Sequence, residues 1–312
     1  MIMVWEEKKM IKRPNELTFE DKKLSMIIAG VPGIGKTTLA LSSPKPLLID
    51  LDKGVSRVEA RYRTDTDVVE TYEELVNDLK SADLSAYETI VIDTGGKLLE
   101  MLKPVVIAED AKNGKRDGNL SLQGYGAIKR KFREFVNFVR GLDKNLIIVF
   151  HASEVALEND LTGLRIRMEG SSRDDVWDDM DIGGFVEIKG KRRTIGFSNC
   201  ERYYAKGTHG IHGEYEIPVL DENAKNTFIT DLFKKIKSDL KAEVELVDKY
   251  NKVMAIKPFI EKASNSEDLN KLWQKVKTLE HCLTSKQELW FALTQKAKDL
   301  GVKYDKESDC FK

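Results

Sequence analysis

A chain of 312 residues with 41% hydrophobic side chains can bury a full core and has room for one large domain and a small one. A net charge of −1 against a charged fraction of 33% excludes a global basic field, so any nucleic-acid contact must come from local clusters. Cys200, Cys282 and Cys310 supply neither a disulfide framework nor zinc spacing, and no apolar run nears the roughly 20 residues of a membrane span, so the expectation is a cytoplasmic protein without membrane contact. Residues 1–22 are polar, lack the apolar core of a signal peptide, and read as a flexible arm.

Short β-rich apolar runs follow: Met26–Ala29, Pro46–Asp50, Thr89–Asp93 and Leu146–Phe150, with helical stretches between them. Strands buried on both faces read as continuous apolar runs, so a mostly parallel sheet in an α/β domain over 23–235 is predicted. A helix near Gly126–Leu142 carries the stripe Ile128, Phe132, Phe135, Val136, Val139, with Lys129, Arg130, Lys131, Arg133 and Arg140 on its solvated positions. Residues 152–181 form a long polar segment ending in an acidic run from Asp174 to Asp181. Phe185–Ile188 and Arg193–Phe197 read as a hairpin turning at Gly190-Lys191, and Glu201–Ala205 as one more strand. From about 236 to 312 the chain reads as a small all-α bundle. Ser266 with Glu267 and Asp268 starts one helix, and the capping box Thr284-Ser-Lys-Gln287 starts another that ends at Gly301. Leu269, Leu272, Trp273, Val276 and Leu279 make one core stripe, and Leu289, Trp290, Leu293 and Ala297 a second.

The chemistry concentrates in Gly30-Val-Pro-Gly-Ile-Gly-Lys-Thr-Thr38. An apolar strand, a loop spaced Gly30-x-x-x-x-Gly35-Lys36-Thr37 and an apolar helix start fit a phosphate-binding P-loop. The loop through Gly30, Pro32, Gly33, Ile34, Gly35 and Thr38 would cradle phosphates on those of its backbone nitrogens that carry a hydrogen, Lys36 would reach the β- and γ-phosphates, and the Thr37 hydroxyl would hold Mg²⁺. A metal site needs a carboxylate as well. Asp93, at the carboxyl end of Thr89-Ile-Val-Ile-Asp93, is the candidate Walker B group beside Thr37. ATP and Mg²⁺ are the expected cofactors. Asp50 and Asp52 close the second run, where they could also serve the turn before Gly54.

P-loop, acidic strand end and Walker B together resemble the RecA-type ATPase core. The resemblance implies that Asp52, in Ile49-Asp50-Leu51-Asp52, orients the attacking water, in a family that uses Glu there on the strand next to the P-loop strand. It implies that His151, ending Ile147-Ile-Val-Phe-His151, senses the γ-phosphate. Tyr203-Tyr-Ala-Lys206-Gly-Thr-His-Gly210 is similar to the segment with which hexameric RecA-like helicases reach a neighbour's site. Lys206 takes the lysine position there, and Thr208 stands in place of the arginine. More narrowly, the P-loop and Pro44–Gly54 resemble phage-encoded RecA-like ATPases of the Sak type, implicated in single-strand annealing. That implies single-stranded DNA binding by a ring or filament of like subunits. The C-terminal bundle would then recruit a single-strand-binding protein or nuclease. Candidate DNA segments are Lys112–Gly118, the 152–181 segment with Arg165, Arg167, Arg173 and Trp177, and the hairpin cations Lys189, Lys191, Arg192 and Arg193. A nucleotide-gated assembly module with little hydrolysis and a P-loop small-molecule kinase stay open as alternatives.

Overall fold

The computed structural model describes residues 21–157, 162–167 and 175–312; the expected N-terminal arm lies almost wholly outside them, as does Arg173. The chain divides into two compact units, one over Lys22–Lys237 and one over Ser238–Lys312.

The first unit is built on a sheet. Its elements in order are β1 (Ser25–Gly30), α1 (Lys36–Ala40), β2 (Pro46–Asp50), β3 (Thr66–Asp67), α2 (Tyr72–Ser81), β4 (Thr89–Asp93), α3 (Gly95–Glu109), α4 (Leu122–Gly141), β5 (Asn145–Ala156), β6 (Thr162–Ile166), α5 (Asp175–Asp178), β7 (Ile182–Lys189), β8 (Arg192–Gly196) and β9 (Glu214–Glu216); α6 (Phe228–Met254) then begins. The strand order is β3-β2-β4-β5-β1-β7-β8-β9, parallel from β3 through β7, with β6 hung antiparallel on β5. This is the α/β core expected from the continuous apolar runs, since β1, β4 and the first half of β5 are buried at every residue. Alternation sends Ile27, Ala29, Ile49, Ile90, Ile92, Ile148 and Phe150 toward one core, where Leu75 of α2, Leu98 and Leu102 of α3, and Phe132, Phe135 and Val136 of α4 meet them. Thr71 caps α2 with a reciprocal capping box, and Ser121 caps α4.

Several expectations change. β5 does not stop at Phe150. It runs on to Ala156 and folds back through β6, so the start of the long polar segment is a hairpin. Three carboxylates of the acidic run are paired with cations of the same chain: Arg133 Nε lies 2.9 Å from Asp179 Oδ1, Lys22 3.2 Å from Asp181, and Lys129 3.9 Å from Asp178. Three cations read as a solvated helix face or an arm thus hold this segment in place. Trp177 is 2% exposed and stacks on Phe185 at 5.8 Å, so it is core and presents no surface to a base. Residues 201–205 form no strand; Lys206 makes an isolated bridge to Gly183, and the next strand is β9.

The second unit holds the rest of α6, α7 (Lys257–Lys262), α8 (Ser266–Thr278) and α9 (Ser285–Asp299), with a two-stranded ribbon of β10 (Tyr304–Asp305) and β11 (Cys310–Phe311) added to the expected helices. Its core contains both predicted stripes, closed by Trp273 against Trp290 at 4.9 Å and Trp290 against Tyr304 at 4.8 Å. The cap of α8 is Asn265 rather than Ser266. At α9 the capping box fails: the Thr284 hydroxyl donates to Glu288 instead of accepting a backbone amide, whereas Gly301 takes the left-handed φ of +71° that ends the helix.

Candidate nucleotide site

β1 ends at Gly30, and the loop 31–35 delivers the chain into α1 at Lys36. Gly33 and Gly35 have φ of +80° and +85°, a region that costs other residues about 1–2 kcal/mol, so the turn requires glycine at both positions. Gly35 also lies under a guanidinium: a Cβ there would stand 2.3 Å from Arg193 Nη1.

Asp93, at the carboxyl end of β4, is buried and accepts a hydrogen bond from Thr37 Oγ1 at 2.5 Å. Burial raises its carboxyl to about 6, opposed by the Thr37 hydrogen bond. Lys36 is 4% exposed, and its ammonium donates to Val31 O at 2.9 Å. Desolvation lowers it to about 8, opposed by Asp93 and Asp52. At each group burial thus outweighs the opposite charge beside it, and phosphate with a divalent cation would add the missing counter-charge to both. No cluster of three His, Cys, Asp or Glu side chains that could hold a metal occurs among the described residues. A hydroxyl–carboxylate pair suits Mg²⁺, which keeps several waters and takes its remaining ligands from phosphate oxygens.

The two acidic residues at the carboxyl end of β2 and just beyond it separate in role. Asp50 accepts the amides of Gly54 and Val55, both at 2.8 Å, and so serves the turn. Asp52 faces the site, with Arg57 Nη2 at 3.1 Å and His151 Nε2 at 3.9 Å. Its strand is not next to the P-loop strand: β2 pairs with β3 and β4, and β4 and β5 intervene before β1. Asp52 reaches the site because Asp50 is in register with Asp93 across β2–β4. His151 pairs in register with Gly30, where parallel pairing ends but β5 continues, so it sits inside a strand rather than at its tip. Its Nδ1 is buried and unpartnered, and burial followed by the Lys36 charge lowers its pKa, so the ring is neutral at pH 7.

Lys206 lies elsewhere. Its ammonium donates to the carbonyl oxygens of Trp177, Asp178 and Met180, fastening the carboxyl end of α5 in its own subunit. A cation from another element that does reach the P-loop is Arg193 on β8, whose Nη1 donates to Ile34 O at 3.4 Å. Arg193 also lines a recess of about 280 Å³ with Tyr215, Ile217, Pro218, Leu220 and Asn226, and Asn226 Nδ2 donates to Thr38 O at 2.7 Å. The sequence marked Arg193 only as one of four hairpin cations. The two-residue turn at Gly190 fixes which of them points back at the loop.

Among curated proteins none matches this chain. Among solved structures, a KaiC-like protein from the hyperthermophilic archaeon Pyrococcus horikoshii OT3 aligns at a TM-score of 0.36 and 11% identity, over 62% of this chain and 89% of that one. A family model described as an AAA domain matches residues 22–209, which run from the start of β1 past Lys206 and include the loop, Asp52, Asp93 and His151. That match spans more than half of the 312 residues, and the chain belongs to the AAA domain family of P-loop nucleoside-triphosphate-binding proteins.

Proposed function

We propose that this protein is an ATP-hydrolysing, RecA-like subunit that binds single-stranded DNA and promotes annealing or recombination as an oligomer. The observation that carries the reading is the convergence of Lys36, Thr37, Asp93, Asp52 and His151 at one end of the parallel strands, where α/β sheets place their ligands. Lys36 and the loop amides neutralise the β- and γ-phosphates, and Arg193 adds a cation from β8 within the same subunit. Mg²⁺ held by Thr37 and Asp93 would supply further charge neutralisation on those oxygens. Asp52 orients a water and takes its proton, while neutral His151 offers the γ-phosphate a hydrogen bond. The recess beside Arg193 and Asn226 takes the nucleoside end of ATP. The DNA component is supported by the exposed cations Lys112, Lys115 and Arg116 in the segment before α4. The cytoplasm of a bacterial host and a phage origin accompany the Sak-type resemblance in this reading.

The Asp52–Arg57 ion pair favours a second reading, a nucleotide-gated assembly module that turns over little ATP, because it holds the candidate base in a fixed contact. ATP turnover with and without a single-stranded oligonucleotide separates the two. A DNA-stimulated rate abolished by Asp52→Asn supports the ATPase. Negligible turnover with ATP-dependent assembly seen by light scattering supports the module. A monomer that ignores DNA overturns both.

A further inference from the structure

Beside the P-loop lies a cavity to which none of the loop's own residues contributes. It measures about 410 Å³, within the range of roughly 300–1,000 Å³ typical of ligand pockets. Asp52 and His151 are part of its lining. Leu99 of α3, Leu120, and Tyr125 and Ile128 of α4 supply apolar surface, and Lys97, Lys103 and Arg167 supply cations. Lys97 is paired with Glu100 at 2.7 Å. Glu100 and Asp52 also stand in the lining, so it suits a ligand with an apolar body against the Leu99–Ile128 side and a negative group directed at Arg167.

A free metabolite would be complete within these walls, but the cations do not end there. The segment carrying Lys112, Lys115 and Arg116 is tied to Leu120 by the Gly114–Leu120 bridge, and its three cations are exposed. A ligand that fills the cavity and continues past it along phosphates uses both features. We infer that this cavity takes one unpaired nucleotide of a single strand, its base against Tyr125, Leu99, Leu120 and Ile128, with the adjoining phosphates along Arg167 and the 112–116 segment. Stacking on an aromatic ring tolerates any base, which suits binding without sequence readout. The inference rests on the DNA-binding reading above and adds where the strand enters. Because Asp52 and His151 line this cavity and also face the P-loop, an inserted base would bear on the hydrolytic carboxylate directly.

The test uses the full chain with a non-hydrolysable ATP analogue and an oligothymidylate containing one 5-iodouracil. Anisotropy of a labelled strand gives affinity, and ultraviolet crosslinking followed by mass spectrometry gives position. Crosslinks at Tyr125 or His151 are expected. Tyr125→Ala should weaken binding about tenfold, in line with loss of one base stack, and Tyr125→Phe should restore it. If the wild-type protein binds the strand but crosslinks elsewhere, and Tyr125→Ala binds equally well, the cavity assignment falls and the DNA-binding reading stands. If the wild-type protein does not bind, both fall. Should Tyr125→Ala melt early by circular dichroism, the crosslink position in the wild type decides.

Discussion

At the residue scale, Lys36 and Asp93 share a buried site that suits neither of them without a ligand. Lys36, lowered to about 8, is partly neutral in slightly alkaline solution, whereas bound phosphate favours the ammonium. Nucleotide binding then takes up a proton, and affinity falls as pH rises through about 8. Titration with a fluorescent ATP analogue between pH 7 and 9.5 should show that fall, and Lys36→Met should bind weakly with no such slope. A wild-type affinity flat over that range would refute the assignment. Asp93 works in the opposite sense. Its carboxyl is raised from 3.8 to about 6, so above pH 6 the ionised form costs the fold on the order of 3 kcal/mol. Stability is therefore lost as pH climbs from the unfolded value through the folded one. Asp93→Asn removes that cost while still accepting from Thr37. The nucleotide-free variant should melt several degrees higher at pH 7.5, yet lose its Mg²⁺-dependent gain in ATP affinity. A lower melting temperature would mean that the buried charge is already compensated in the resting protein.

At the element scale, α5 is a single turn held by a lysine from another segment. Removing a donor from three carbonyl oxygens costs about 1–3 kcal/mol where the acceptors are left buried. Lys206→Ala should therefore lower stability and loosen the Trp177 packing, read as a red shift of tryptophan emission. A lysine acting in a neighbour's site makes a different prediction. Mixing inactive Lys36→Ala subunits with Lys206→Ala subunits would then rebuild working interfaces and recover turnover. A structural lysine gives no recovery, which is the outcome expected from its contacts. The same segment marks the limit of what the chain's pattern discloses. β2 and β4 are legible to the residue, and β1 nearly so, because buried parallel strands are uninterrupted apolar runs between polar ends. The P-loop and Asp93 are legible because spacing alone constrains them. Arg193 on Ile34, the cations of α4 on the acidic run, and Lys206 on α5 are not, since each joins residues dozens of positions apart. Local periodicity carries no trace of such pairings; a charged side chain looks the same whether it meets water or a partner.

At the scale of the whole molecule, every residue assigned to the nucleotide site lies in Lys22–Lys237, while Ser238–Lys312 closes its own core around Trp273, Trp290, Tyr304 and Phe311. That second unit has 75 residues, a size at which a single core is only marginally stable. Two units with separate cores should unfold in separate steps unless an interface couples them. A ligand that binds one folded unit stabilises that unit by RT ln(1 + [L]/Kd), about 2.7 kcal/mol at a hundredfold excess over Kd. Calorimetry of the full chain should resolve two transitions, and ATP with Mg²⁺ should raise only the one belonging to residues 22–237. A chain ending at Lys237 should keep that transition and bind nucleotide within about twofold of the full protein, because Ile229, Leu232, Phe233 and Ile236, the buried residues of the first turns of α6, remain. If nucleotide instead moves both transitions together, the two units form one cooperative body, and the C-terminal helices would take part in the nucleotide cycle rather than forming an independent attachment.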